Sequence, residues 1–437
     1  MRPLAPDRTE LALPDGKPPL TPQQAAVEAN RCLGCTEAPC IRACPTSIDI
    51  PGFIRRIATG NVRGAARVIL DANIFGQGCA RVCPVEVLCV GDCVYNHLDL
   101  PPIQIGKLQR YATDAAAEAG WSFYTAGADT GRSVGLIGAG PASLAAAHRL
   151  RRFGHRVTIY DRREVVGGLH TTGVAPYKMP AADAVAEAER VLAIGGVELA
   201  LGVAVPAALG WEALLARHDA LFLGFGLGAD SVLALPGAGL PGVEGAVDFI
   251  ERMKLGQVDL SAVRRAVVVG GGNTAMDAVR ELAGLGVPDV TLAYRGDEAG
   301  MSGYAHEWAA AKQLGVRGRF RVAPVGFAGD ARVEGLRVQA MDAAKRPIPG
   351  TEETLGADLV LLAIGQARLD ALVAGLPGVE TAGGRIVTDA AGRTGHPRVF
   401  AGGDCRNGGR EVVNAVAEGR DAAVAMHELL GSLSEVR

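Results

Sequence analysis

The segment CLGCTEAPCIRACP, from Cys32 to Pro45, places four cysteines within thirteen positions and closes on a proline. A second group follows at Cys79, Cys83, Cys89 and Cys93, so eight of the nine cysteines lie in one short region. Clustered thiols in a chain whose first residues lack a signal-peptide pattern point to metal or redox chemistry rather than to disulfides. Cys44 and Cys83 each precede proline, and thiolate groups closed by Cys-Pro are typical of [4Fe–4S] binding. Structural zinc is the competing use of four thiolates. It usually pairs two CxxC knuckles, and the second group has none. By simple count, eight thiolates supply two clusters, and such clusters carry single electrons.

Two glycine-rich turns have the form that holds dinucleotides. SVGLIGAGPASLAAAHRLRRFGHRVTIYD reads as strand, glycine turn, helix, strand. Gly138 and Gly140 permit the tight turn and a close approach of pyrophosphate to backbone N–H groups, beside Pro141, Ala142 and Ser143. Ser143 replaces the usual third glycine and is still small. Asp161 ends the second strand, where an acid binds ribose hydroxyls. RAVVVGGGNTAMDAVRELAGLGVPDVTLAYR repeats the plan with Gly270, Gly272, Asn273, Thr274 and Ala275. Its second strand is followed by Arg295 instead of ending on an acid. An arginine there can pair with a 2′-phosphate, but Asp297 and Glu298 come next and oppose one. The residues leave NAD and NADP both open. Two such folds suggest that one holds FAD and the other a nicotinamide. The stretch VFAGGDCRNGGREVVNAVAEG supports this. Gly403 and Asp404 suit contact with the flavin ribityl chain. Val412 and Val413 begin a helix whose positive end would face the flavin and favour its anionic reduced form.

These residues need elements to position them. The chain has 437 residues, enough for about three domains. Hydrophobic content is 49%, charged content 21% and net charge -3, ordinary for a globular protein and unsuited to nucleic acid as a main partner. The longest apolar runs are too short for a bilayer. The expectation is a cytosolic protein with no membrane contact and a floppy first twenty residues. Residues 22 to about 120 carry helical spacing of apolar residues, in PQQAAVEANRCL, PGFIRRIATG, GNVRGAARVILDAN and IQIGKLQRYATDAAAEAG. TAGADTGRS reads as a linker. The fold class expected is α/β, with two Rossmann-like dinucleotide-binding domains preceded by an α-helical iron–sulfur domain.

GAGPAS, VVGGL, GGGNTAMD, LAIGQ and AGGD, in this order, resemble the two-domain flavin oxidoreductases related to the glutamate synthase small subunit. The resemblance implies a nicotinamide domain inserted into the FAD domain, from about Pro241 to Gly365. It also implies cofactor contacts at Gly168, Leu169 and Lys178, and at Ala363, Ile364 and Gly365. No CxxC or CxxxxC lies in the flavin or nicotinamide units, so reduced flavin must deliver electrons elsewhere; Cys405 reads as a packed thiol. CLGCTEAPCIRACPTSIDIPGFI, GCARVCPVEVLCVGDCV and IQIGKLQRYATD resemble more specifically the electron-input part of dihydropyrimidine dehydrogenase, in its bacterial NAD-dependent form. That resemblance implies interleaved ligand sets. Cys32, Cys35, Cys40 and Cys93 would hold one cluster. Cys44, Cys83, Cys89 and Gln109 would hold the other, with Cys79 spare. The glutamine rests wholly on the resemblance; read from spacing alone, Gln109 is an ordinary helix-surface residue. NADP-using relatives carry further basic residues after the position of Arg295, where Gly296 and Ser302 stand here, which counts against NADP.

The expected domains are about 1–128 for the clusters, 129–240 and 366–437 for FAD, and 241–365 for NAD(P). The expected function is oxidation of NAD(P)H through FAD, with single electrons crossing two clusters to a partner subunit. No side chain need act as acid or base, because positioning and cofactor electronics carry the chemistry. An FMN barrel or a glutamine-handling domain would take roughly 250 further residues, so the chain is expected to be an electron-input subunit in a hetero-oligomer. The first expected partner is an FMN/iron–sulfur subunit reducing uracil or thymine, and the alternative is a glutamate synthase large subunit. A non-catalytic redox-sensing module is the reading from another class.

Overall fold

The structure, a computed structural model, describes residues 4–435. Residues 4–21 form an arm with one 3-10 turn, Thr9–Ala12, and the expectation of a floppy start is corrected for its described part. Arg8 and Glu10 are buried and paired at 2.7 Å, and Glu10 also accepts the Ala181 N–H. Gly16 N–H donates to Tyr177 O at 2.7 Å and Lys17 Nζ to Cys83 O at 2.9 Å. A proline-rich, charged stretch looks unstructured in sequence; here its charges find buried partners and its backbone is bonded to distant segments. Residues 1–3 fall outside the described residues.

The helical unit comprises α1 (Pro22–Asn30), α2 (Pro39–Arg42), α3 (Ile50–Ala58), α4 (Val62–Ala72), α5 (Gly76–Val82) and α6 (Ile105–Glu118). Local chemistry sets the starts. Thr21 and Gln24 form a capping box on α1, and Asp49 and Asn61 cap α3 and α4 through their side-chain oxygens. The apolar faces of α3, α4 and α6 meet through Phe53, Ile57, Ile69 and Leu108, all buried.

The first α/β unit contains β1 (Ser133–Ile137), α7 (Pro141–Arg152), β2 (Arg156–Asp161), α8 (Leu169–Thr172), α9 (Ala181–Leu192), β3 (Val197–Leu201), α10 (Trp211–Arg217) and β4 (Ala220–Leu223). The chain then builds a second unit from β5 (Val243–Gly245), α11 (Ala246–Lys254), β6 (Arg265–Val269), α12 (Asn273–Gly284), β7 (Asp289–Tyr294), α13 (Ala305–Gln313) and β8 (Arg317–Phe320). β9 (Val322–Ala328), β10 (Gly335–Ala340) and β11 (Glu353–Gly356) form an antiparallel sheet, and β12 (Leu359–Leu362) returns to the second unit. A two-strand hairpin, β13 (Thr381–Ala382) and β14 (Arg385–Ile386), precedes β15 (Val399–Ala401), α14 (Asp404–Asn407) and α15 (Val412–Glu435).

The parallel sheets have the orders β15-β4-β1-β2-β3 and β5-β12-β6-β7-β8. Since β15 pairs with β4, the second unit is an insertion within the first. α7 and α15 cover the first sheet through a small-residue face that includes Ala142, Ala146, Ala415 and Ala422. No helix among the described residues is long and apolar enough to cross a membrane.

Candidate functional site

Two small cavities, ≈ 30 and ≈ 20 Å³, open among the cysteines of the helical unit. Cys32, Cys35, Cys40 and Cys93 line the first. Cys44, Cys79, Cys83, Cys89 and Gln109 line the second. Local structure explains the division. α2 ends at Arg42, so Cys44 lies past the helix and does not share a face with Cys40. Cys89 and Cys93 stand in irregular turns rather than on one helix, and they also separate. Cys79 and Cys83 belong to one turn at the end of α5, with Cys83 N–H donating to Cys79 O, and they remain together. The other walls are mostly apolar, with Asp92 on the first and Asn73 on the second, and Ile50 borders both cavities.

The thiols crowd one another. Burial, then Cys32, Cys93 and Cys35, push the Cys40 thiol up to about 12. Burial and Cys83, Cys44 and Cys40 push Cys89 up further. Cys83 is raised by its hydrogen bond with Cys79 and by burial. Converging, mutually repelling sulfurs need a positive centre to become thiolates, and iron supplies that charge. No three His, Cys, Asp or Glu among the described residues converge as a single ion requires. Two thiol-lined cavities of cluster-ligand composition fit iron–sulfur groups. Gln109 is buried, contrary to the helix-surface reading, and its Nε2 donates to Gly76 O at 2.7 Å. That bond sets the amide orientation and leaves Oε1 as its remaining acceptor.

A cleft of ≈ 350 Å³ runs between the two α/β units. Gly138, Gly140, Pro141, Ala142, Asp161, Gly168, Leu169, Lys178, Asn273, Gly403, Asp404 and Val412 line it. Gly138 has φ +97°, and a Cβ there would lie 2.5 Å from Gly224 O, so only glycine admits both the turn and the close β4 backbone. Asp161 Oδ2 accepts the Ala139 N–H at 2.7 Å and Oδ1 accepts that of Arg163 at 2.7 Å, which holds the carboxylate at the strand end. Ser143 is fully buried under Gly224 and packs the strand against the helix without lining the cleft. Burial raises the Asp404 carboxyl to about 6.

The residues expected to hold cofactor on the second glycine turn divide. Asn273 lines the cleft and its Oδ1 accepts the Tyr304 N–H at 3.0 Å. Gly270, Gly272, Thr274, Ala275 and Arg295 stand outside the cleft wall, at or beside the start of α12 and the end of β7. Ala363, Ile364 and Gly365 also lie off the wall; Ala363 O presses on Gly270, where a Cβ would come within 2.3 Å. Val413 lines the second thiol cavity rather than the cleft, while its neighbour Val412 lines the cleft.

Sequence reasoning missed the charges that hold the cleft's two sides together. Lys178 Nζ lies 2.8 Å from Asp277 Oδ1 and 2.6 Å from Glu307 Oε1. Tyr177 OH donates to Asp277 at 2.6 Å and Tyr304 OH to Glu411 at 2.7 Å. These pairs join the first α/β unit to the second, and single residues far apart in sequence carry no local signal of them. Asp277 and Glu307 keep Lys178 charged against its burial. Cys405 is buried, and its thiol donates to Leu223 O at 3.2 Å.

A family model described as pyridine nucleotide-disulphide oxidoreductase matches residues 132–419. The chain belongs to that family. A second model, dihydropyrimidine dehydrogenase domain II, 4Fe-4S cluster, matches residues 12–121. The glutamate synthase [NADPH] small chain of Halomonas elongata is 36% identical, over 94% of this chain and 92% of its own length. The NAD-dependent dihydropyrimidine dehydrogenase subunit PreT of Escherichia coli (strain K12) is 37% identical, over 94% of this chain and 96% of its own. Among solved structures, Mycobacterium tuberculosis FprA aligns with TM-score 0.55 at 21% identity, covering 70% of this chain and 86% of that one. Thioredoxin reductase of T. acidophilum aligns with TM-score 0.55 at 21% identity, covering 69% and 99%. The fold is therefore the split FAD unit with an inserted nicotinamide unit, preceded by an iron–sulfur unit. The protein is an NAD(P)H-dependent oxidoreductase that uses FAD and [4Fe–4S] clusters. Its relatives serve as subunits of larger enzymes.

Proposed function

We propose that the chain is the electron-input subunit of a dihydropyrimidine dehydrogenase. It would oxidise NAD(P)H and pass electrons to an FMN/iron–sulfur subunit that reduces uracil or thymine. When bound, FAD converts a hydride into single electrons and the clusters relay them. One observation carries the reading: the cleft and the second thiol cavity share a wall. Cys83 lines the cavity while its neighbours Val82 and Pro84 line the cleft, and Val413 and Val412 divide in the same way. The first cavity lies outward, with Cys32, Cys35 and Cys40 partly exposed, so electrons would leave from there. In this reading Cys32, Cys35, Cys40 and Cys93 hold the outer cluster, and Cys44, Cys83, Cys89 and Gln109 the inner one. The units span about 1–128, 129–240 with 366–437, and 241–365.

The Halomonas relative supports a second reading, a glutamate synthase small subunit, at nearly the same identity and coverage. The discriminating experiment is anaerobic purification of the tagged chain from its native cells, with identification of what accompanies it. Recovery of an FMN subunit, with NAD(P)H-dependent reduction of uracil or thymine, supports the first reading. Recovery of a glutamate synthase large subunit, with glutamate formation from 2-oxoglutarate and glutamine, overturns it.

A further inference from the structure

In sequence Arg295 stands alone among Gly296, Asp297 and Glu298, which leaves the coenzyme open. Tertiary structure changes its surroundings. β7 and β8 are parallel and in register, with Tyr294 opposite Phe320. The residues that follow each strand, Arg295 and Arg321, are therefore neighbours at the carboxyl edge of the sheet. That edge, at the end of the second strand, is where the adenosine ribose of a dinucleotide lies. Arg321 supplies from the next strand the second basic group missing at position 296.

The backbone of Arg321 is unusual. Its φ is +56°, rare for a residue with a side chain. Two hydrogen bonds hold it there: Arg321 N–H donates to Gly296 O at 2.8 Å, and Met341 N–H donates to Arg321 O at 2.7 Å. A strained non-glycine residue held from both sides motivates a functional reading of its side chain. The neighbouring acids are engaged. Glu298 accepts Trp308 Nε1 at 2.8 Å and Lys312 Nζ at 2.7 Å, so its charge is met. Asp297 Oδ1 accepts the Gly300 N–H, and Oδ2 lies 3.7 Å from Arg321. On β8, Arg317 and Arg319 are paired with Asp289 and Glu353. Arg295 and Arg321 thus follow adjacent strand ends, and Asp297 is the acid that faces Arg321 there.

We propose that the chain takes the 2′-phosphorylated coenzyme, NADPH, and that Arg321 together with Arg295 binds its 2′-phosphate. Two guanidiniums from adjacent strands can fork around a phosphate dianion, which attracts Arg321 more strongly than the single charge of Asp297 does. The inference rests on NAD(P)H being the electron donor and is independent of the acceptor, which other parts of the chain would meet.

The test uses the full chain loaded with FAD and clusters. Calorimetry compares 2′,5′-ADP with 5′-ADP, and dye reduction compares NADPH with NADH. Arg321→Gly is the informative variant, because glycine accepts the positive φ without strain and removes only the side chain. The expected results are 2′,5′-ADP binding at least about tenfold tighter than 5′-ADP, and loss of about tenfold of that preference in R321G with KM for NADH unchanged; about tenfold corresponds to one charge-assisted contact. Asp297→Asn should tighten 2′,5′-ADP. Equal binding of the two nucleotides, an NADH preference in the unaltered protein, or an R321G that still prefers 2′,5′-ADP would overturn the proposal. If neither coenzyme reduces the flavin, the donor assignment falls with it.

Discussion

Cys83 stands between Val82 and Pro84, so one residue separates the thiol cavity from the cleft on each side. Its replacement tests the ligand assignment directly. Cys83→Ser should lose about half of the iron, as one of two clusters does, while FAD remains. With Gln109 as the proposed fourth ligand of the inner set, Cys79→Ser should keep the full iron content. If C79S loses iron and Gln109→Leu does not, the fourth ligand is Cys79. Asp404 gives a pH-dependent prediction. Burial raises its carboxyl from 3.8 to about 6 in the fold. A raised carboxyl favours the folded state at low pH, and this contribution is lost as pH rises through about 6. In FAD-free protein, Asp404→Asn should therefore stabilise by about 2–3 kcal/mol at pH 8 and by little near pH 4. Denaturant titrations at the two pH values would read the difference, and equal gains would dismiss the effect.

The arm of residues 4–21 is the element least visible in sequence, yet it is bonded to distant segments. Glu10 pairs with buried Arg8 and caps the start of α9 through Ala181, while Lys17 reaches Cys83 O. Removing Glu10 leaves the Arg8 guanidinium buried without its partner. Glu10→Ala should cost about 3–5 kcal/mol, seen as an earlier denaturation midpoint at unchanged slope. A cost below about 0.5 kcal/mol, the level of ordinary surface substitutions, would return the arm to the loose tail that its composition suggests.

At the scale of the whole molecule, the cleft, the inner cavity and the outer cavity follow one another from the nicotinamide unit to the surface of the helical unit. That order predicts separable losses. Cys40→Ser, at the outer cavity, should leave NAD(P)H-driven dye reduction close to normal and abolish delivery to the partner subunit. Cys83→Ser should also stop reduction of the remaining cluster, because the inner relay is gone. Rapid-mixing spectroscopy of the flavin band and low-temperature paramagnetic resonance of the clusters would follow both steps. An outer-site variant that still reduces its partner at the normal rate would refute the order.

The sequence alone determined what depends on neighbours along the chain. The strand–glycine–helix units are legible because Gly138 and Gly270 meet local backbone requirements. Thiol chemistry is legible from residue type, since few other uses explain eight cysteines in one short segment. Tertiary structure decided the remainder. It set Cys40 apart from Cys44 and Cys89 from Cys93, the division the family resemblance implied and spacing did not show, because short elements end between or beside them. It buried the arm, joined Lys178 to Asp277 and Glu307, and set Arg321 beside Arg295. Each of these contacts joins residues distant in the chain, and its energy comes from burial and charge pairing that exist only once the units have packed.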